Sequence, residues 1–259
     1  MLQLRPSLSL APLGLPLKKS LPLAAQLGAK GVEIDLLGHL HETALSRTAI
    51  RELRKRLGDY HLKVSNLFLA TQEGTLLDQL ERNFNEIKQG MESAYQLGAS
   101  TLTIRLGRIA PTDSSEYQGL LQLLTDLGQW GQRCGALLTL APNKTSPEDL
   151  SRLLADLPTH SLGIYFDPAK HLMSQHDPVQ ALTILAPHIL QFAMHDATYD
   201  YQQDEGHETA LGRGSVDFAQ LLTILEQQRF PGYLTIIRQK SENLLYELSA
   251  AIEFTKNFG

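Results

Sequence analysis

Eight short apolar runs, each followed by enough chain for a helix, constrain this sequence more than any other feature. They are Leu8–Leu10, Gly31–Asp35, Lys63–Leu69, Thr101–Leu106, Leu137–Ala141, Gly163–Asp167, Ile189–His195 and Gly232–Ile237. Strands that alternate with helical crossovers form a parallel sheet. Eight of them close into a barrel of about 250 residues. The chain has 259 residues, so one barrel accounts for it. The expected fold class is α/β, a single (β/α)8 TIM barrel, with residues 1–259 as one domain. No linker, low-complexity tract or shift in composition divides the chain.

The helical segments carry their own marks. Leu76, Leu80, Phe84, Ile87, Met91 and Ala94 recur at steps of three and four, which makes one apolar helix face. Ser146-Pro147-Glu148-Asp149 is a start signal, with Ser as N-cap, Pro in the first helical position and acids at the positive end. Asp177-Pro178 starts a helix in the same fashion, and Ser215 is expected to cap the helix carrying Phe218, Leu221, Leu222 and Leu225. Gly58 and Gly98 are expected C-terminal stops. Trp130, on a helix with Leu123, Leu124 and Leu127, reads as core. Tyr199 to Ala210 is the one long polar stretch, expected to be a loop over the mouth after the seventh strand.

Charge and composition exclude several classes. A net charge of -5 offers no basic face for nucleic acid. No run approaches the ~18 apolar residues of a membrane span, so no membrane partner is expected. Leu8 to Leu17 carries two prolines and is followed, not preceded, by Lys18 and Lys19, the wrong order for a secretory signal. One cysteine, Cys134, allows no internal disulfide and no Cys-based metal site. These readings fit a cytoplasmic protein, monomeric or homodimeric.

Several runs end on ionisable residues: Glu33 and Asp35, Arg105, Asp167, and His195 with Asp196. Strand residues alternate between the helix side and the barrel interior. In Thr101 to Leu106 the apolar set Leu102, Ile104 and Leu106 must face the helices, which turns Arg105 inward. The same parity turns Glu33, Asp35, Tyr165, Asp167, Gln191 and His195 inward. So many buried charges cost several kcal/mol per ion unless they pair or meet a ligand. Two readings follow. The charges form a structural ion network among Glu33, Arg105 and Asp167, or they line a polar-ligand site at the C-terminal mouth, where barrel chemistry resides.

Gly-Val-Glu33-Ile-Asp35, Gly-Ile-Tyr-Phe-Asp167-Pro, His195-Asp196-Ala and Leu211-Gly-Arg213-Gly-Ser-Val-Asp217-Phe resemble the xylose-isomerase-like TIM barrels. These are the sugar phosphate isomerase/epimerase superfamily, related to the endonuclease IV barrels. Leu106-Gly-Arg108-Ile is similar to a subgroup of uncharacterised bacterial members. The resemblance implies a divalent cation held by a Glu ending strand five, an Asp or His at strand six, a His on strand seven and a Glu ending strand eight. In this sequence those positions hold Ala141, Asp167, Ala193 and Ile237, and the position three after Asp167 is Lys170. Hard cations want several oxygen or imidazole ligands. No metal and no cofactor are therefore expected. His39-x-His41 with Glu42 is the one other arrangement able to clamp a metal, and two loop histidines explain it as well.

The resemblance, read with these residues, implies a small-molecule sugar or sugar phosphate as partner. Glu33, Asp167, Lys170 and His195 are the candidate catalytic groups. Arg105, Arg108, Asn143, His171, Asp196 and Arg213 are candidate substrate contacts, and Arg suits phosphate through its planar fork. Three functions stay open: a binding barrel without metal chemistry, a metal-independent isomerase or epimerase, and a structural or interaction barrel with no ligand.

Overall fold

The computed structural model describes residues 5–40, 46–70, 74–142 and 144–258. The strands are β1 (Pro6–Ser9), β2 (Gly31–Asp35), β3 (Lys63–Leu69), β4 (Thr101–Arg105), β5 (Leu137–Ala141), β6 (Leu162–Phe166), β7 (Ile189–Met194), β8 (Asp196–Asp200), β9 (Glu205–Thr209) and β10 (Leu234–Ile236). The helices are α1 (Leu17–Leu27), α2 (Leu36–His39), α3 (Arg47–Asp59), α4 (Leu76–Leu97), α5 (Ser115–Cys134), α6 (Pro147–Ala155), α7 (Pro168–Met173), α8 (Pro178–Leu185), α9 (Phe218–Gln227) and α10 (Leu244–Lys256). Eight parallel strands close in the order β1-β10-β7-β6-β5-β4-β3-β2, with β1 pairing β2. This is the expected (β/α)8 barrel. Among the described residues no helix is long and apolar enough to cross a membrane.

Parity assigns the two faces of the sheet as anticipated. Val32, Ile34, Leu102, Ile104, Ile164, Phe166, Phe192, Met194, Leu234 and Ile236 are buried against the helices. The interior is polar. Asn66 accepts from the hydroxyls of Thr101 and Thr103 at 2.9 and 3.0 Å, and Thr103 bonds Thr139 at 2.6 Å. Gln191 on β7 donates to the Ser65 carbonyl at 3.0 Å and to the Thr101 hydroxyl at 2.9 Å. Since β7 is not a neighbour of β3 or β4, those bonds cross the barrel. Branched aliphatic layers usually fill such interiors; here hydroxyls and amides do so, many of them bonded to one another.

Most helix punctuation is as read. Ser146 and Asp177 cap α6 and α8 through their side chains, and Gly98 ends α4 in the left-handed region at φ 83°, where a Cβ would be strained. Three expectations are corrected. Asp217, not Ser215, caps α9, because its carboxylate accepts from Gln220 N. Gly58 lies inside the last turn of α3, and His61 takes the positive φ. Trp130 is half-buried, with the Lys88 ammonium 3.8 Å from its ring.

The polar stretch after β7 differs most. Residues 196–200 and 205–209 form an antiparallel hairpin, with Asp196 opposite Thr209 and Asp200 opposite Glu205. Asp200 accepts from Gln202 N and Gln203 N in the turn, and Asp204 adopts φ 54°. Asp residues that bond local backbone make such a turn. Strand ends otherwise shift by one or two residues: Asp167 and His195 lie just past β6 and β7.

Candidate functional site

Asp167, the first residue after β6, has two duties. Its carboxylate accepts from the Lys170 N–H at 3.2 Å and so caps α7. It also faces His195, whose Nδ1 lies 3.0 and 2.9 Å from the two Asp167 oxygens. His195 Nε2 lies 3.1 Å from Glu208 Oε1. A ring whose two nitrogens both face carboxylates is a double donor, an imidazolium. Glu208 is brought there by β9. It is held in turn by Arg238 at 3.2 Å and by the backbone N–H groups of Gln239 and Lys240 at 2.7 and 3.3 Å. Arg238 continues to Glu247 on α10 at 2.5 Å. A chain of alternating charge therefore runs Asp167, His195, Glu208, Arg238, Glu247 along the C-terminal ends of β6, β7 and β10.

Its electrostatics follow from burial and pairing. His195 is 1% exposed and Asp167 7%. Burial alone would lower the His195 pKa, but the charge and hydrogen bond of Asp167, joined by Glu208, lift it to about 9. Burial would raise Asp167, yet His195 and Lys170 hold it below its ordinary value. Glu208 is likewise pushed up by burial and brought down further by His195, Gln239 N–H and Arg238. Opposite charges within a few ångströms favour each other's ionised form.

Glu33 sits deeper and behaves oppositely. It is 5% exposed and accepts from Asn66 Nδ2 at 2.9 Å. Burial raises its pKa against the lowering effect of Asn66, Ser9 and Tyr165, and the charge of Asp167 adds to the rise. Tyr165 lies between the two carboxyls and is pushed well up by burial and by both charges.

The remaining candidates separate. Lys170 stands in the first turn of α7, close enough to Asp167 to lower its pKa. His171, on the same helix, is buried and stacks on Phe166 at 4.7 Å; burial drops its pKa to about 4. It is thus a neutral ring in the packing behind the sheet. Asp196 is buried, and its carboxylate accepts from Ala197, Gly212, Gly214 and Val216 N–H groups at 2.9 to 3.3 Å. It organises the Leu211-Gly-Arg213-Gly loop. Arg213 is exposed on that loop. Asp35, read as interior, caps α2 by accepting from Leu37 N at 3.0 Å. Asn143, His41 and Glu42 lie outside the described residues.

Arg105 departs from its expected inward position. It is exposed at the rim, its guanidinium 6.0 Å from the Phe68 ring centroid, so the buried network does not pass through it. The reason is its place as the last residue of β4, where the chain is already leaving the sheet. Arg105 and Arg108 instead line a cavity of about 840 Å³ above β4 and β5, shared with Lys144 and Arg152.

Ala141 and Ile237 offer hydrocarbon, and Ala193 is a fully buried methyl group. Among the described residues no group of three or more His, Cys, Asp or Glu side chains is arranged to hold a metal ion. The donor set does not fit the cation that the resemblance implies.

Sequence reasoning missed Glu208 and Arg238. Both were visible, but reading residues 199–210 as a loop hid the alternation that turns Glu208 toward His195. The hairpin period, with Gly206 and Glu208 on one side and Glu205, His207 and Thr209 on the other, was the available signal.

The sequence matches the family model described as xylose isomerase-like TIM barrel over residues 21–258. Comparison with curated proteins finds no match. A xylose isomerase domain protein from Planctomyces limnophilus superposes with a TM-score of 0.84 at 20% identity, over 99% of this chain and 97% of that one. A sugar phosphate isomerase/epimerase from Parabacteroides distasonis ATCC 8503 gives 0.71 at 15% identity, over 97% and 93%. The IOLI protein, solved with a zinc atom, gives 0.76 at 16% identity, over 98% and 96%. At these identities the likeness is one of fold.

Proposed function

Because this chain belongs to the xylose isomerase-like TIM barrel family, we propose that it binds a small polyol or sugar phosphate at the C-terminal mouth of its barrel, without the divalent cation. One observation carries this reading. The cationic group between Asp167 and Glu208 is the His195 ring, with 2.9 and 3.1 Å contacts on its two sides. The positions that the family resemblance gives to further metal ligands are Ala141, Ala193 and Ile237. An imidazolium supplies one positive charge and needs no ligand set. It donates both protons to protein carboxylates, so it holds the mouth together rather than polarising a substrate.

The test is metal analysis of the purified protein with calorimetric titration of Mn²⁺, followed by a thermal-shift screen of sugars and sugar phosphates. Stabilisation by a sugar or its phosphate, with no stoichiometric metal, is the expected outcome. Tight Mn²⁺ binding would refute the metal-free reading, and a flat screen would leave a barrel without a sugar ligand.

A second reading has its own support. Glu33 and Asp167 are carboxyls whose environments push their pKa values apart, one up and one down, and such pairs mark acid and base assignments. In that reading Glu33, Asp167, Lys170 and His195 move a proton between sugar carbons without metal. Deuterium uptake from solvent into a bound sugar would favour it; stabilisation with no exchange favours binding alone.

A further inference from the structure

We infer that the β8–β9 hairpin is a lid on the C-terminal mouth, latched by Glu208 and able to lift while the barrel stays folded. The groups beneath it are closed off: none of His195, Tyr165, Glu33 and Asp167 is more than 7% exposed. A ligand that meets them needs an element that moves aside, as lids do. Such a lid serves whichever small molecule the mouth takes, so it goes beyond the sugar reading and is open to test without a ligand.

Three features single out the hairpin. First, it stands apart from the barrel ladder: among the described residues β8 and β9 form a two-stranded sheet of their own, and a lone pair of strands is marginally stable in water. Second, its arm is poor in apolar contacts. Residues 198–209 include no aliphatic side chain, and Tyr201 at the turn is 83% exposed. Segments that bury little apolar surface open at lower free energy than a core. Third, its attachment is uneven. The base is fixed, because Asp196 accepts from the Gly212, Gly214 and Val216 N–H groups and the Ala197 carbonyl accepts from Ser215 N–H at 2.8 Å. Beyond that base, the polar bonds that tie the arm to the molecule cluster at two places among the described residues. At the tip, Gln175 donates to the Tyr199 hydroxyl at 2.6 Å and to Asp204 at 2.9 Å. Near the base, Glu208 meets His195, Arg238 and the Gln239 and Lys240 N–H groups, which ties the arm to the ends of β7 and β10. Bonds between charged groups are the stronger kind, so Glu208 is the latch. Gly206 lies on the same face as Glu208 and lets the arm lie flat on α7. A Cβ there would stand 2.5 Å from Met173 Cγ and 2.7 Å from its Cα. The closed arm thus has no clearance, and one methyl group would wedge it away from α7.

Hydrogen exchange of the full chain near neutral pH tests the lid. The amides of residues 198–209 are followed by mass spectrometry and the His195 Nε2–H by NMR. In wild type the hairpin amides should open at a lower free energy than those of β4 and β5, and the His195 ring proton should exchange in step with the hairpin. Glu208→Gln removes the charge of the latch and should speed both about tenfold or more, as loss of a charge-assisted bond does. Gly206→Ala leaves every charge in place and should speed both as well. Protection of β4 and β5 reports whether the barrel of each variant is intact; if that of Glu208→Gln is not, wild type and Gly206→Ala decide. Hairpin amides that open only together with β4 and β5 overturn the lid. A His195 ring proton whose exchange departs from that of the hairpin in either direction also overturns it, because the hairpin then does not control access to the mouth. Exchange unchanged in both variants overturns it as well.

Discussion

The ring of His195 should make the stability of this fold depend on pH where few side chains titrate. Its pKa rises from an ordinary 6.5 to about 9 in the folded chain. At ~1.4 kcal/mol per pH unit, that shift corresponds to about 3 kcal/mol. The sign follows from proton linkage. A base whose folded pKa is raised stabilises fully below its unfolded value, and that stabilisation is lost as pH climbs through the folded one. The window is therefore from about 6.5 to about 9. Asp167 and Glu208, both lowered, stay ionised throughout it. His171, pushed down to about 4, acts only in acid, where stability falls as pH drops from 6.5 toward that value. Urea unfolding of wild type across the window should show free energy falling by up to ~1.4 kcal/mol per pH unit. His195→Gln removes the charge, leaves Asp167 and Glu208 facing each other, and should cost about 3–5 kcal/mol near neutral pH. Its profile should be nearly flat over the same window. Parallel profiles for the two proteins would refute the assignment of the charge to His195.

Three further outcomes are expected. Asp167→Asn should bring the His195 titration, followed by NMR, down toward 6.5, because the Asp167 charge is the largest influence raising it. Asp196→Ala leaves backbone N–H groups of the 211–216 loop without their acceptor, at ~1–3 kcal/mol for each group that stays buried, and limited proteolysis should then cut within that loop. Gly163→Ala sets a Cβ 2.4 Å from the Leu190 side chain; overpacking of this kind costs about 1–3 kcal/mol, read as a lowered Tm with sugar binding retained.

The barrel was legible because its evidence is redundant. Eight apolar runs, their spacing and the caps at Ser146 and Asp177 all point to one architecture, and errors of one or two residues at strand ends do not disturb it. The site was legible only in part. Parity placed Glu33, Asp167 and His195 where they belong, since alternation is set by backbone geometry. It failed at Arg105, where the strand ends and the side chain swings to the rim. It also failed in the hairpin Asp196–Asp200 with Glu205–Thr209, whose register depends on pairing that polar composition does not announce. Glu208 and Arg238 come together only through that pairing and the return of β10, so no local pattern joins them. His171 shows the converse: an ionisable residue beside Asp167 in sequence that a single helical turn carries onto Phe166.

Asp167 illustrates why one matched residue is a weak guide to chemistry. The family resemblance makes it a metal ligand, yet its observed bonds account for a carboxylate there without any metal. It caps α7 through Lys170 N–H and counters the charge of His195. Replacing it would strip the first turn of α7 and leave His195 with Glu208 alone. Both duties concern stability, and both require an ionised carboxylate held below its ordinary pKa, as found. The same reasoning extends to Asp196, whose four backbone bonds fix the glycine-rich loop. The residues that carry the family likeness most clearly are thus bound to the scaffold by their own hydrogen bonds. What sets this sequence apart from the pattern that the resemblance implies lies elsewhere: Ala141, Ala193 and Ile237 stand where that pattern has further metal ligands.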